Sequence, residues 1–275
     1  MSMEDKATGI ERAIEYIESN ITAELDIKKI AASAYLSPYY FQRVFHSLCG
    51  ITLGEYIRYR RLTLAAEELV ENDARVIDVA MKYGYDSPDS FSRAFAKYHK
   101  VSPSAAKING ASLRSLAPLK INSTWKGNTL MEYRIVEKAA FTIVGFSKRF
   151  NTETSYTEVP KFWSEHFDSG NSVIIDGMFG ACINADAKVF DYLIADLYIP
   201  WKKVPEGCVT KTFEAGTWAV FPYHGKLPEA LQEVNTKIWS EWLPNCKEYT
   251  LSGDYDLEVY LDAENGEIWL PVKKK

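Results

Sequence analysis

The feature that most constrains this chain is an internal repeat at an offset of fifty residues. Ser37-Pro-Tyr-Tyr-Phe-Gln-Arg-Val-Phe45 recurs as Ser87-Pro-Asp-Ser-Phe-Ser-Arg-Ala-Phe95, and five of the nine positions coincide. Ser followed by Pro marks a helix start. The hydroxyl accepts from free first-turn amides, and Pro at the first helical position gives up no N–H that the helix would use. Phe41/Phe45 and Phe91/Phe95 stand four residues apart, so each pair is expected to bury one helix face against its neighbours. The opposite face then carries Tyr39, Gln42 and Arg43 in the first copy, and Asp89, Ser90, Ser92 and Arg93 in the second.

A shorter helical run precedes each copy: Ile27–Ala34 and Val76–Tyr83. Ala31 and Ala80 are small enough for two helices to cross closely, and Gly84 marks the second turn. Helix, short turn, helix with a polar second helix is the helix-turn-helix plan, whose second helix can lie in a DNA major groove. Gln suits adenine, and Arg suits guanine or phosphate. The connector Thr52–Asn72 would span roughly 30 Å as a helix, close to the ~34 Å between successive major grooves. Arg58, Arg60, Arg61, Arg75, Lys97, Lys100 and Lys107 are the expected phosphate contacts. The acidic residues Glu4, Asp5, Glu11, Glu15 and Glu18 cluster in the first helix, which places them on a far face.

Composition changes sharply part-way along. Residues 1–127 hold 17 Lys+Arg against 15 Asp+Glu, residues 128–275 hold 15 against 22, and all seven Trp follow residue 124. Two domains are expected: residues 1–110, a linker at 111–129 centred on Ala111–Asn128, and residues 130–275. From Met131 the pattern turns to period two in MEYRIVE, FTIVGFSKRF, MFGACINA, VFDYLIADLYI, TWAVFPYHG, DLEVYLD and EIWLPV. Helix-like runs at Tyr156–Phe167 and Pro228–Leu243 interrupt it. The fold class is thus an all-α double helix-turn-helix followed by an α+β domain with a duplicated ββαββ plan (SHS2-like) and a mostly antiparallel sheet. No run reaches membrane-spanning length, the start has no apolar signal region, and no Cys-x-x-Cys pair suggests zinc. A cytoplasmic protein with reduced cysteines, no metal, no cofactor and no membrane partner is expected.

In Asp256-Leu-Glu-Val-Tyr-Leu261, alternation sends Leu257, Val259 and Leu261 to one face, expected to pack under the two helices. Asp256, Glu258 and Tyr260 go to the other. On the next strand Ile268, Leu270 and Val272 are read as inward, and Glu267 and Trp269 as outward. Glu258 and Tyr260, with Trp163, Trp218 and Trp269, are therefore the candidate ligand contacts. A carboxylate among aromatic rings suits a lipophilic cation, and the acidic half would concentrate cations.

Residues ~8–108 resemble the DNA-binding domain of AraC/XylS transcription regulators, most clearly in LSPYYFQRVFHSLCGITLGEYIRYRRL and VIDVAMKYGYDSPDSFSRAFAKYHKVSPSAAK. The resemblance places base-facing positions on Tyr39, Gln42 and Arg43, and on Pro88, Asp89, Ser90, Ser92 and Arg93. Asp89 departs from the family's frequent Gln, so a weaker or differently specific second reader is expected. Residues Met131–Lys273 resemble the GyrI-like effector-binding domain, through EAGTWAVFPYHG, the helix ending WSEWLP, DLEVYLD and EIWLPVK. That resemblance puts a central pocket carboxylate on Glu258, and the domain order is that of Rob-type regulators. Together they imply a promoter-DNA-binding transcription regulator, an activator by resemblance, that answers a small amphipathic, cationic effector and works with RNA polymerase. No catalytic residue is assigned. Two alternatives remain open at this point: a small-molecule hydrolase using Glu258 as general base, and a protein-interaction module.

Overall fold

The computed structural model describes residues 3–71, 74–107, 113–119 and 131–275. The chain forms two compact units. One comprises Glu4–Phe41 and Cys49–Ser123; the other comprises Thr124–Lys275 with Gln42–Leu48 and Met1–Met3. Trp125 and most of the expected linker stretch lie outside the described residues, as do the side chains of Glu4 and Asp5.

The helical elements are α1 (Met3–Ser19), α2 (Ile27–Ser33), α3 (Pro38–Cys49), α4 (Leu53–Glu71), α5 (Val76–Lys82), α6 (Pro88–His99) and α7 (Pro103–Ala106). Local chemistry sets their ends. The Asp26 carboxylate accepts from Lys28 N at the start of α2, and Ser87 Oγ accepts from Ser90 N at the start of α6. At α4, Thr52 Oγ1 accepts from Glu55 N at 3.2 Å while Glu55 Oε2 accepts from Thr52 N at 3.0 Å, a reciprocal capping box. Both helix-turn-helix turns need one left-handed residue, Tyr35 (φ 57°) in the first and Gly84 (φ 78°) in the second. Each is followed by an amide bonded back to the small residue of the preceding helix, Leu36 N to Ala31 O and Tyr85 N to Ala80 O.

Leu62, Ala65, Leu69, Val79, Ala80, Phe91 and Phe95 form one core around α4, α5 and α6. Both phenylalanines of the second repeat are therefore interior, as their spacing requires. α4 is 19 residues long, about 28 Å. Two arginines expected on phosphates are consumed inside this unit. Arg60 pairs with Glu18 at 2.8 Å, with a side chain only 7 % exposed, and also donates to Leu116 O. Arg61 donates to Ile21 O and Ala23 O, both at 2.8 Å. Glu18 thus departs from the far-face reading of α1, because a buried guanidinium needs its charge. Residues 113–119 depart from the linker reading. Leu116 N donates to Thr63 Oγ1 and Leu119 N to Tyr56 OH, so this segment lies along α4.

The sheet unit contains β1 (Arg134–Lys138), β2 (Phe141–Asn151), α8 (Ser155–Asp168), β3 (Phe179–Ile183), β4 (Val189–Leu197), β5 (Cys208–Phe213), β6 (Gly216–His224), α9 (Glu229–Lys237), β7 (Tyr249–Leu251), β8 (Asp256–Tyr260) and β9 (Asn265–Lys274). α9 continues through a π turn at Ile238–Trp242 into α10 (Leu243–Asn245). The strand order is β1-β6-β9-β8-β3-β4-β2-β5, with the short β7 added beside β9. Every pairing is antiparallel. This order reads the same from both ends when the two halves are exchanged, so the ββαββ duplication is real. The first strand of each half pairs with the other half: β1 with β6, and β5 with β2. β5 has no clear period-two signature, because Lys211 and two threonines interrupt it.

The larger core fills one face of this sheet. Phe179, Ala181, Leu193, Phe213, Trp218, Leu257 and Val259 meet there. Phe141 and Phe213 from one end of the sheet reach Trp218 from the other, with ring centroids 6.0 and 5.9 Å apart. The sheet therefore curls until its own two ends cover the aliphatic face. The helices lie on the opposite, carboxylate face, which corrects the expectation that they cover Leu257 and Val259. Leu261 is 63 % exposed beyond the end of β8. None of the described helices is long and apolar enough to cross a membrane.

His99 closes α6. Its Nε2 faces Leu62 O at 3.0 Å, and burial lowers its pKa below the usual 6.5. A depressed histidine pKa means the unfolded chain takes up the proton first. The helical unit is expected to lose stability as pH falls through about 6.5, and His99→Leu should flatten that dependence. Urea denaturation between about pH 7.5 and 5.5 checks it.

Candidate functional site

The middle of the sheet is where its two halves join. β8 pairs with β3 there, with Gly180 opposite Glu258 and Cys182 opposite Asp256. Alternation along β8 turns Asp256, Glu258 and Tyr260 to the helix-covered face. Tyr192, opposite Cys182, adds a ring from β4. Tyr192 and Tyr260 both donate to Glu258 Oε2, at 2.5 and 2.7 Å. Trp163 of α8 donates from Nε1 to Tyr192 OH at 2.9 Å. Its ring stands edge-on to Tyr260 at 5.1 Å and stacks on Phe167 at 5.9 Å. Two glycines make the room. A Cβ on Gly180 would come within 2.6 Å of Glu258 Oε2, and one on Gly177 within 2.7 Å of the Trp163 ring.

Burial pushes the Glu258 carboxyl above its usual value near 4.5, outweighing the two phenol hydrogen bonds that favour its charged form. The Tyr192 and Tyr260 hydroxyls are pushed well up by burial and by that same carboxylate, so they remain donors. Tyr223, 1 % exposed, places its hydroxyl over Gly266 and feels the Glu258 charge. That hydroxyl has no hydrogen-bond partner among the described residues. A partly desolvated carboxylate walled by rings has the chemistry to pair with an organic cation. Cys182, the neighbouring thiol, is held neutral by burial, which pushes its pKa well above 9.0.

The repeat's polar faces differ between the two copies. On α6, Asp89 and Arg93 are exposed, Pro88, Ser90 and Ser92 are half-buried, and Ser90 Oγ bonds back to Ser87 O. On α3, Tyr39 is 2 % exposed and Gln42 8 %. Gln42 Nε2 donates to Ala187 O at 2.9 Å, and Arg43 pairs with Asp256 at 2.8 Å. An open hollow of about 840 Å³ between α4 and α6 is lined by Arg58, Arg61, Lys97, Lys100 and Arg114, among tyrosines.

Residues 134–272 match the family model described as an integron-associated effector binding protein, and residues 30–107 match a helix-turn-helix domain. The HTH-type transcriptional activator AarP of Providencia stuartii is 38% identical over 111 residues, covering 40% of this chain and 82% of that protein. Regulatory protein SoxS of Salmonella typhimurium is 42% identical over 95 residues, covering 34% of this chain and 89% of that protein. The integron cassette protein VCH_CASS2 from the mobile metagenome of Vibrio cholerae superposes with a TM-score of 0.43 at 19% identity, covering 51% of this chain and 95% of that one. This chain belongs to the AraC-type transcription regulators with an integron-associated effector-binding domain.

In this regulator, three of the five expected ligand residues come together: Glu258, Tyr260 and Trp163 share one hydrogen-bonded cluster. Trp218 and Trp269 do not join them. Trp269 sits opposite Leu257 in the strand register, so it faces the aliphatic side, and Trp218 is packed into the core there. Ile268, opposite Glu258, is the residue on the carboxylate side. Alternation on β9 holds, but its phase is the inverse of the one read from the sequence. Tyr192 and Tyr223 join the candidate site and escape sequence reasoning, whereas Asp256 is read onto the Glu258 face but not named as a ligand contact. For Asp256 a signal exists, since it stands two residues from Glu258 on the same strand. For Tyr192 and Tyr223 only the strand register supplies one.

A carboxyl with a raised folded-state pKa stabilises the fold below its usual value and loses that contribution as pH rises through the folded pKa. Glu258→Gln should therefore raise the thermal midpoint of the ligand-free protein at about pH 7.5. The gain should shrink steadily toward about pH 5. Differential scanning fluorimetry across that range tests the sign.

Proposed function

We propose that this regulator is a cytoplasmic transcriptional activator whose effector is an amphipathic organic cation bound at Glu258. The observation that carries the reading is one carboxylate oxygen held by two phenols inside an aromatic wall of Trp163, Phe167, Tyr192 and Tyr260. A neutral ligand would gain nothing from the buried charge. A cation neutralises it without displacing either phenol. For DNA, Asp89, Ser90, Ser92 and Arg93 on α6 are proposed base-facing residues, as is Arg43 on α3, whereas Tyr39 and Gln42, at 2 % and 8 % exposure, are too buried to face bases. The basic hollow with Arg58, Lys97 and Lys100 is the proposed phosphate contact. The activator reading is supported by the likeness to the transcriptional activator AarP, and it implies RNA polymerase as a partner. The protein's role is binding without catalysis.

Calorimetry with tetraphenylphosphonium and the neutral triphenylphosphine oxide tests the pocket. Glu258→Gln should weaken the cation about tenfold or more, as removal of a desolvated charge partner does, and leave the neutral compound nearly unchanged. Equal loss for both would refute the charge role. For DNA, Arg93→Ala should lower operator affinity by ~1–3 kcal/mol if it pairs with a base, and Lys97→Ala should reduce the salt slope by about one. Gel-shift titrations at several salt concentrations measure both.

A further inference from the structure

Asp256 lies two residues from Glu258 on the same face of β8, roughly 7 Å along the strand. It is 2 % exposed, and a buried carboxylate demands a cation. Around it the sheet unit assembles a specific set of groups. The Arg43 guanidinium meets Asp256 Oδ2 through Nη1 at 2.8 Å and reaches Cys182 Sγ at 3.9 Å. Its Nη2 donates to Asn235 Oδ1 at 3.1 Å. Asn235 is itself fixed by Trp239 Nε1 at 2.8 Å, and the guanidinium carbon stands 5.0 Å from the Trp239 ring centroid. His46, one turn further along α3, stacks on Tyr156 of α8 at 3.8 Å.

This arrangement recognises a planar, forked cation. One side chain supplies negative charge, one amide supplies an aligned acceptor, and an indole face receives the delocalised charge. A spherical ammonium would use only the first of these. The Tyr223 hydroxyl, buried near Glu258 with no partner among the described residues, adds a polar group in the neighbouring part of the same face.

We propose that Asp256, Asn235 and Trp239 form a second cation subsite, selective for an amidinium or guanidinium on an aromatic body, in which Arg43 is the chain's own stand-in for the effector. The aromatic body would lie toward Trp163 and Tyr260, so the subsite rests on the reading of Glu258 as a cation pocket and names its ligand class. The ligand and Arg43 compete for one carboxylate. Ligand binding displaces Arg43, which is also a proposed base-reading residue, and so couples effector to DNA.

The test uses the full chain and 2-naphthamidine, with neutral 2-naphthamide as control. Because an internal competitor divides the apparent affinity by the fraction of open sites, Arg43→Ala should bind the amidine about tenfold tighter than the parent. Adding Asp256→Asn should abolish that gain, and 2-naphthamide should not respond to either change. If Arg43→Ala fails to fold, Arg43→Gln keeps the stem and gives the same readout. Unchanged amidine affinity in a folded Arg43 variant would overturn the subsite, as would a gain that survives Asp256→Asn. Tetraphenylphosphonium, which lacks N–H donors, separates the two readings. If its binding ignores Glu258→Gln while the amidine still follows Asp256, the Glu258 reading fails and the subsite stands. If it follows Glu258 while the amidine ignores Asp256, the subsite fails and the Glu258 pocket stands.

Discussion

The pairing of β3 with β8 is the constraint on which the effector-binding unit depends. It is the seam between the two ββαββ halves at the centre of the strand order, and its register places Gly180 against Glu258 and Cys182 against Asp256. A slip of one residue would turn both carboxylates into the aliphatic core. That core, with Leu257, Val259, Ala181 and Phe179, supplies the burial that holds the register. The hydrophobic face thus fixes where the charges stand, and the glycine opposite Glu258 leaves the space in which a phenol can reach it.

Both units are built by duplication, and in both the two copies have diverged in the same way. The fold-forming positions persist and the chemical positions differ. In the helical repeat Phe41/Phe45 and Phe91/Phe95 are fully buried, while Tyr39-Tyr40 in one copy becomes Asp89-Ser90 in the other. In the sheet unit the strand order is symmetric, but β8 carries two carboxylates where β3 carries Gly180 and Cys182. A symmetric scaffold with an asymmetric centre gives a site with one charged wall, as the proposed amphipathic cation requires.

The helical unit is legible in the sequence because its signals are local. Ser-Pro starts, i,i+4 phenylalanines and small crossing residues each act within one or two turns, and the observed α3, α6 and capped termini follow from them. The strands are legible by alternation, and so is the company of Asp256, Glu258 and Tyr260. What alternation cannot give is phase between neighbouring strands. Taken alone it puts Trp269 beside Glu258, whereas the register pairs Trp269 with Leu257. Nor can it say which face a sheet covers with helices and which by curling. The fate of Arg60 is hidden for the same reason. Glu18 is forty-two residues away in sequence, and only tertiary packing reveals that this guanidinium is spent on the interior.

Arg43 shows how one side chain can carry two assignments that exclude each other. Its place in the repeat makes it a proposed reader of bases, and its geometry makes it the counter-charge of Asp256. A guanidinium held by Asp256 and Asn235 and seated on the Trp239 face commits the Nη edge that a guanine would take. On this proposal the two states exchange, and a ligand shifts that exchange only by its differential affinity for them. A cation that takes Asp256 has such a preference by construction, because it binds only where Arg43 has left. A ligand held by Glu258 alone senses Arg43 only through charge at a distance, because the direct partners of Glu258 are Tyr192 and Tyr260. The second carboxylate is therefore what would turn an aromatic cation pocket into a switch.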